Sequence, residues 1–119
     1  MKFIIHRSQN SLSDPQSKAL IDQLSFKLAM YDHSHQILNI NGDIAHHSFN
    51  YFNNNENQQH IIILAGEDDL IFSENFKKMP NSPKVIWSGL TISEKFIQAD
   101  SLLPDVCVVP QWTIDELSQ

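Results

Sequence analysis

The chain has 119 residues, of which 41% are hydrophobic and 18% are charged, and its 14 acidic and 8 basic side chains give a net charge of −6. This length is typical of one globular domain, so we predict a single α/β domain over residues 1–119. Nucleic acids and anionic membranes bind clustered Lys and Arg, whereas Arg7 is the only arginine here. We therefore expect neither nucleic acid nor a membrane among the partners.

Cys107 is the only cysteine, which excludes a disulfide within the chain. A lone thiol favours a reducing, cytoplasmic location. Because Val106 and Val108 flank it, we predict a buried and unreactive core thiol. No apolar run reaches the roughly 20 residues of a membrane span, and the N-terminal residues become polar too soon for a signal peptide.

Short runs rich in Ile and Val predict five strands: Lys2–His6, Gln36–Ile40, His60–Ala65, Lys84–Trp87 and Val106–Val109. The third run contains Ile61–Leu64 without polar alternation, which is typical of a strand buried on both faces. We therefore place this run at the centre of a parallel sheet.

The strongest helix signal follows the first strand. Asp14 is a suitable N-cap, Pro15 suits the first helical position, and apolar residues then recur at helical spacing up to Tyr31. Weaker patterns predict short helices at Ile44–Phe52, Ser73–Lys78, Ser93–Ala99 and Thr113–Leu117, and residues 53–59 form a polar tract expected to be a surface loop. Alternation of strands and helices predicts a three-layer Rossmann-like or flavodoxin-like domain, with a mostly parallel sheet of about five strands.

In such a sheet, ligands bind beyond the carboxyl ends of the strands. Two segments at that position supply the candidate ligand-binding residues, which are Arg7, Ser8, Ser11, Gly66, Glu67 and Asp68. Arg7 and the N-terminal amides of the first helix offer positive potential, whereas the acids could accept sugar hydroxyls or share a Mg²⁺ ion. We expect a phosphorylated or nucleotide-like ligand, although a polar capping loop and an acidic turn opening a helix explain the same residues.

The spacing of residues does not favour metal binding, nucleophilic catalysis or phosphoryl acceptance. The pairs His33/His35 and His46/His47 lack the spacing that places zinc ligands on one face, so we predict no metal site. There is no GxSxG motif for a nucleophilic serine, and His6 stands where a phosphoacceptor domain would carry acids. Catalytic residues and cofactors stay unassigned, and we expect Trp87 and Trp112 to pack at the rim of the core.

The segment Lys84–Trp112, KVIWSGLTISEKFIQADSLLPDVCVVPQW, contains a strand, a connection and a second strand that Pro104-Asp105 precedes and Val109-Pro110 closes. It resembles the mitochondrial-fission-protein-like family, whose members look like two-domain GT-B glycosyltransferases with a similar strand ending in their N-terminal half. The polar segment Ser8–Ala19 is compatible with that resemblance. Where the family carries a turn rich in glycine and arginine, this chain has the acidic Gly66–Asp68.

The resemblance implies a stand-alone half-domain on the acceptor side of such an enzyme. Its sugar-nucleotide site would lie mainly in a second domain, so this half would be non-catalytic alone and would work with a partner chain or a missing second domain. The residues themselves leave the alternative of a small ligand-binding module or enzyme that acts at the carboxyl edge of the sheet.

Overall fold

The computed structural model describes residues 2–41, 43–54, 58–79, 83–91 and 104–117. Its strands are β1 (Lys2–Ser8), β2 (Ser34–Ile40), β3 (Gln59–Ala65), β4 (Lys84–Ser88) and β5 (Val106–Val108). Its helices are α1 (Gln9–Ser13), α2 (Pro15–Met30), α3 (Ile44–Asn54), α4 (Gly66–Lys77) and α5 (Gln111–Leu117). No helix among these residues is long and apolar enough to cross a membrane.

The five strands form one parallel sheet in the order β2-β1-β3-β4-β5. This is the flavodoxin-like order of doubly wound proteins. The strand β3 lies in the middle, with Ile5 of β1 beside Ile61 and Val85 of β4 beside Ile62. The predicted fold class and the central position of the third strand are therefore confirmed.

Alternate side chains of β3 enter two separate cores, which is what places helices on both faces of the sheet. On one face, Ile62 and Leu64 pack with Phe76 of α4. On the other face, Ile63 packs with Ile21 of α2. Burial of an aliphatic side chain contributes roughly 1.5–3 kcal/mol, so both layers stabilise the sheet.

Local capping explains where the first helices begin. The Asp14 carboxylate accepts the Ser17 N–H at 3.0 Å and Pro15 follows it, so α2 begins where the sequence predicts. The Ser8 hydroxyl accepts the Ser11 N–H at 3.1 Å and caps α1. The polar segment Arg7–Asp14, interpreted from the sequence as a capping loop, is thus the end of a strand followed by a one-turn helix.

At the far edge, Asp105 holds β5 against β4 and α4. Its carboxylate accepts the Val85 N–H at 2.9 Å and pairs with the Lys77 ammonium at 2.7 Å. Although partial burial acts to raise it, the pKa of Asp105 lies below its ordinary value because these hydrogen bonds favour the charged form.

Three predictions about local structure are wrong, and one lies outside the described residues. The helix predicted to begin at Ser73 begins at Gly66, so Ser73 is a buried residue of its third turn. Cys107 is exposed because β5 is an edge strand, and partial shielding raises the pKa of its thiol. Trp112 is 47% exposed rather than packed at the core rim. The helix predicted for Ser93–Ala99 falls outside the described ranges.

Candidate functional site

A cavity of about 640 Å³ lies at the carboxyl ends of β1, β3 and β4. It occupies the crevice that forms where the chain leaves β1 toward one side of the sheet and β3 toward the other, the usual ligand position in this architecture. Its described lining comprises Asn10, Ser13, Asp14, Pro15, Ala65, Gly66, Glu67, Asp68, Trp87, Gly89, Leu90 and Thr91. The segments after three different strands therefore meet at one place.

One wall of the crevice is held by Asp69, which is 3% exposed. Its carboxylate accepts the Ala65 N–H at 3.0 Å, the Asn10 side-chain amide at 3.0 Å and the Ser8 hydroxyl. These donors come from β3, α1 and β1 in turn. A buried carboxylate with several donors is a strong link, so Asp69 fixes the relative position of the two segments that border the cavity.

A second buried polar cluster joins α2 to the end of β4. The Ser17 hydroxyl donates to Asp14 at 2.7 Å and also contacts the Ser88 hydroxyl. Both serines are fully buried. Asp14 lines the cavity, but its Oδ2 atom is already occupied as the α2 cap, so this carboxylate is less available to a ligand than an exposed one.

Trp87 forms the base of the cavity. Its side chain is fully buried, and its indole N–H donates to the Gly66 carbonyl at 2.8 Å. Gly66 itself has φ +76°, a left-handed conformation that favours glycine. A Cβ atom at Gly89 would lie 2.3 Å from the indole. Position 89 therefore requires glycine because a side chain would clash with Trp87. Position 66 favours glycine because its backbone is left-handed.

The described lining contains carboxylates and no basic side chain. Glu67 and Asp68 are exposed in the first turn of α4, and neither makes a hydrogen bond or ion pair within the described part of the chain. Pro15 and Leu90 give the lining an apolar component. No group of three or more His, Cys, Asp or Glu residues suited to a metal occurs among the described residues. The cavity is thus acidic with an apolar part.

The structure brings together half of the residues predicted to bind a ligand. Gly66, Glu67 and Asp68 line the cavity. Ser8 and Ser11 lie behind it, because the Ser8 hydroxyl donates to Asp69 and the Ser11 hydroxyl donates to the Ile63 carbonyl at 3.2 Å.

Arg7 points elsewhere. Its Nε donates to the Asn39 side chain in β2 at 2.8 Å, and it is not part of the described lining. The positive side chain expected to attract a phosphate is therefore missing from the cavity, although Arg7 lies near the end of β1, the strand that leads to it.

The sequence reasoning missed several lining residues, among them Asn10, Asp14 and Leu90. Asp14 was interpreted as a helix cap that would repel an anion, and the carboxyl-edge rule could have included it because it follows β1 by a few residues. Leu90 follows β4, and the same rule applied to the segment after Gly89 would have found it.

A separate pair of histidines lies under α3, away from the cavity. His6 of β1 is fully buried, and its Nε2 lies 2.8 Å from Nδ1 of His60 in β3. Tyr51 of α3 contacts both rings edge-on. Burial, and then the neighbouring His60, lower the pKa of His6 from its ordinary 6.5 to about 3. His6 is thus neutral at neutral pH.

The sequence matches no protein-family model, no curated protein and no solved structure. The resemblance of Lys84–Trp112 to the mitochondrial-fission-protein-like family therefore stays a prediction.

Proposed function

We propose that this chain binds a small, uncharged ligand that carries hydroxyl groups and a flat or apolar part, such as a nucleoside, in the cavity at the carboxyl edge of the sheet. The observation that carries the proposal is the cavity itself. Its volume of about 640 Å³ falls within the usual range for small-molecule sites, and it lies at the ligand position of doubly wound sheets.

The lining supports the choice of ligand. The exposed carboxylates of Glu67 and Asp68 can accept hydroxyl donors, as acids at this edge do for ribose in related architectures. Pro15 and Leu90 offer apolar contact to a flat ring. A phosphate would meet these carboxylates without a basic side chain among the described lining residues, so the charge of the cavity opposes it.

The test compares matched ligands on the intact chain. Melting temperature is measured with a nucleoside and its 5′-phosphate, and with a hexose and its 6-phosphate. We expect stabilisation by an unphosphorylated compound, which reaches about 2.7 kcal/mol at a concentration near one hundred times its Kd. The phosphorylated partner should stabilise less.

A matched pair of variants locates the binding. Glu67→Gln/Asp68→Asn removes the cavity carboxylates, whereas Asp115→Asn/Glu116→Gln removes two exposed acids from α5. Only the first should weaken ligand binding, by roughly tenfold for the loss of one charge-assisted hydrogen bond. Preference for the phosphorylated compounds, or equal binding by both variants, would contradict the proposal.

A second candidate function follows from apolar side chains beside the cavity. Leu90, Trp112 and Ile114 are 65%, 47% and 45% exposed, and the Thr113 hydroxyl donates to the Leu90 carbonyl, which holds α5 next to this rim. Exposed large apolar side chains on neighbouring segments favour an interaction surface. They lie in or next to the segment that resembles GT-B enzymes, and they favour a half-domain that needs a partner chain or a second domain.

The same ligand screen separates the two candidates. A half-domain of this kind would not transfer sugar alone, and we expect no stabilisation by nucleosides, sugars or sugar nucleotides. Stabilisation by one compound that Glu67→Gln/Asp68→Asn reduces would reject this second candidate. For either function we propose a cytoplasmic location, which the single unpaired Cys107 supports.

A further inference from the structure

The two edges of the sheet differ in how they are protected. At one edge, β5 has only three residues and lies between Pro104 and Pro110. Asp105 precedes it and adds a charge. Short strands, prolines and charges are the features by which proteins prevent an exposed edge from pairing with another chain. The β5 edge therefore carries several such features.

The opposite edge of the sheet, formed by β2, has none of these protective features. The strand β2 has seven residues, Ser34-His35-Gln36-Ile37-Leu38-Asn39-Ile40, with no Lys, Arg, Asp, Glu, Pro or Gly. Within the described residues it pairs only with β1, and no backbone hydrogen bond reaches its outer side. Every second residue of an edge strand directs its N–H and C=O outward, so this strand presents an unpaired ladder along its whole length.

We propose that β2 pairs with β2 of a second copy of this chain, in antiparallel orientation about a two-fold axis at Ile37. The pairing would join two five-stranded sheets into one. Two-fold dimers are the commonest assemblies of identical chains, and a two-fold axis across a strand edge makes the pairing antiparallel. An axis at Ile37 uses all seven residues, because it places Ser34 opposite Ile40 and His35 opposite Asn39.

The composition of the strand is what favours a second copy as the partner. In a two-fold pairing about Ile37, a charge at one of the central positions would lie near its own copy and repel it. The seven residues of β2 contain no acidic or basic side chain other than His35, although the whole chain has a net charge of −6. The strand itself thus adds no acidic repulsion to the pairing, and its Asn39 side chain binds Arg7 of β1.

The first test measures the molar mass of the intact chain by light scattering over the micromolar range. We expect a dimer in the wild-type chain and a monomer in Gln36→Lys. Gln36 is exposed, and the axis at Ile37 makes the two copies of position 36 diagonal neighbours on one face, where two charges repel. Gln23→Lys makes the same change at an exposed position of α2 and should stay dimeric. Circular dichroism checks that both variants fold.

The second test fixes the register by oxidation to a disulfide, in a Cys107→Ser background. Position 37 lies opposite itself at the axis, so I37C should give a covalent dimer. Position 34 lies about 20 Å from its own copy, so S34C should not. The proposal would be overturned if the wild-type chain is monomeric over the whole micromolar range. A monomer that binds a foreign extended peptide at β2 would also overturn it. So would a dimer that persists in Gln36→Lys, or cross-linking by S34C but not by I37C.

Discussion

Acid should destabilise this protein through His6, well above the pH at which carboxylates titrate. The pKa of His6 falls from 6.5 to about 3 on folding, chiefly because burial disfavours the charged imidazolium and secondly because His60 lies beside it. Between these two pH values His6 therefore binds a proton in the unfolded chain but not in the folded chain. Stability is full above about pH 6.5 and is lost as the pH falls toward about 3.

The size of the effect follows from the shift. One pKa unit corresponds to about 1.4 kcal/mol, so the free energy of unfolding should drop by about 2 kcal/mol between about pH 7.5 and about pH 5. The drop would reach roughly 4 kcal/mol near pH 3, which is comparable to the whole stability of many domains. We expect unfolding to be complete before that pH is reached.

The assay is urea unfolding at the two pH values for three proteins. His6→Gln removes the titrating ring and keeps a side-chain amide near His60, so its stability should change less between the two pH values than the wild type does, by about 2 kcal/mol. His47→Gln changes an exposed histidine of α3 and should behave as the wild type does. If His6→Gln loses as much stability as the wild type between the two pH values, the histidine pair is not the source of the acid sensitivity.

Two further predictions concern the walls of the cavity. Asp69→Asn should lower the free energy of unfolding by about 2–4 kcal/mol, because an amide NH₂ would face donors that now bind the carboxylate, whereas Asp68→Asn on the exposed side should change it by less than about 1 kcal/mol. Gly89→Ala would bring a Cβ atom to 2.3 Å from the buried indole of Trp87. In a Trp112→Phe background, where Trp87 is the remaining tryptophan, we expect this variant to have a red-shifted tryptophan emission. An unchanged emission spectrum and melting temperature would refute this packing.

The parts of the fold that could be predicted from the sequence are those with strong local signals. The apolar run of β3 is buried on both faces, and such a strand needs no polar alternation. The start of α2 is encoded by Asp14 and Pro15, whose capping and backbone preferences act within one turn. Both signals depend on residues that are neighbours in the sequence, so β3 and the start of α2 could be predicted without knowledge of tertiary contacts.

The start of α4 could not be read in the same way. Its buried face carries Asp69, Ser73 and Phe76, which have helical spacing but include two polar residues. Hydrophobic periodicity overlooks a buried face when its polar members are satisfied by hydrogen bonds from other elements, as Asp69 is by β1, α1 and β3. The acids of the first turn were the available signal, since a helix N-terminus favours them, and the interpretation of these residues as an acidic turn that opens a helix agrees with the start of α4.

The direction of the Arg7 side chain is a second feature that depends on residues distant in the sequence. Position in the chain places it near the carboxyl edge, but strand alternation sends its side chain to the face opposite that of Ser8, and Asn39 of the neighbouring strand binds it there. Which strand lies beside β1 is a property of the sheet order, and sequence reasoning had not fixed that order. The charge of the cavity therefore could not be predicted.

The consecutive acids Glu67, Asp68 and Asp69 show how one short segment serves both the fold and the site. Successive residues of a helix differ by about 100° around its axis, so Asp69 turns inward while its two neighbours stay at the surface beside the cavity. The inward acid joins the segments that form the crevice, and the outward acids give the crevice its charge. A basic residue at position 67 or 68 would leave the Asp69 links intact, so the fold does not demand the acids there. A helix N-terminus favours acids in its first turn, and under the proposed function these acids also accept ligand hydroxyls, which is the reason we favour a hydroxyl-bearing, unphosphorylated ligand.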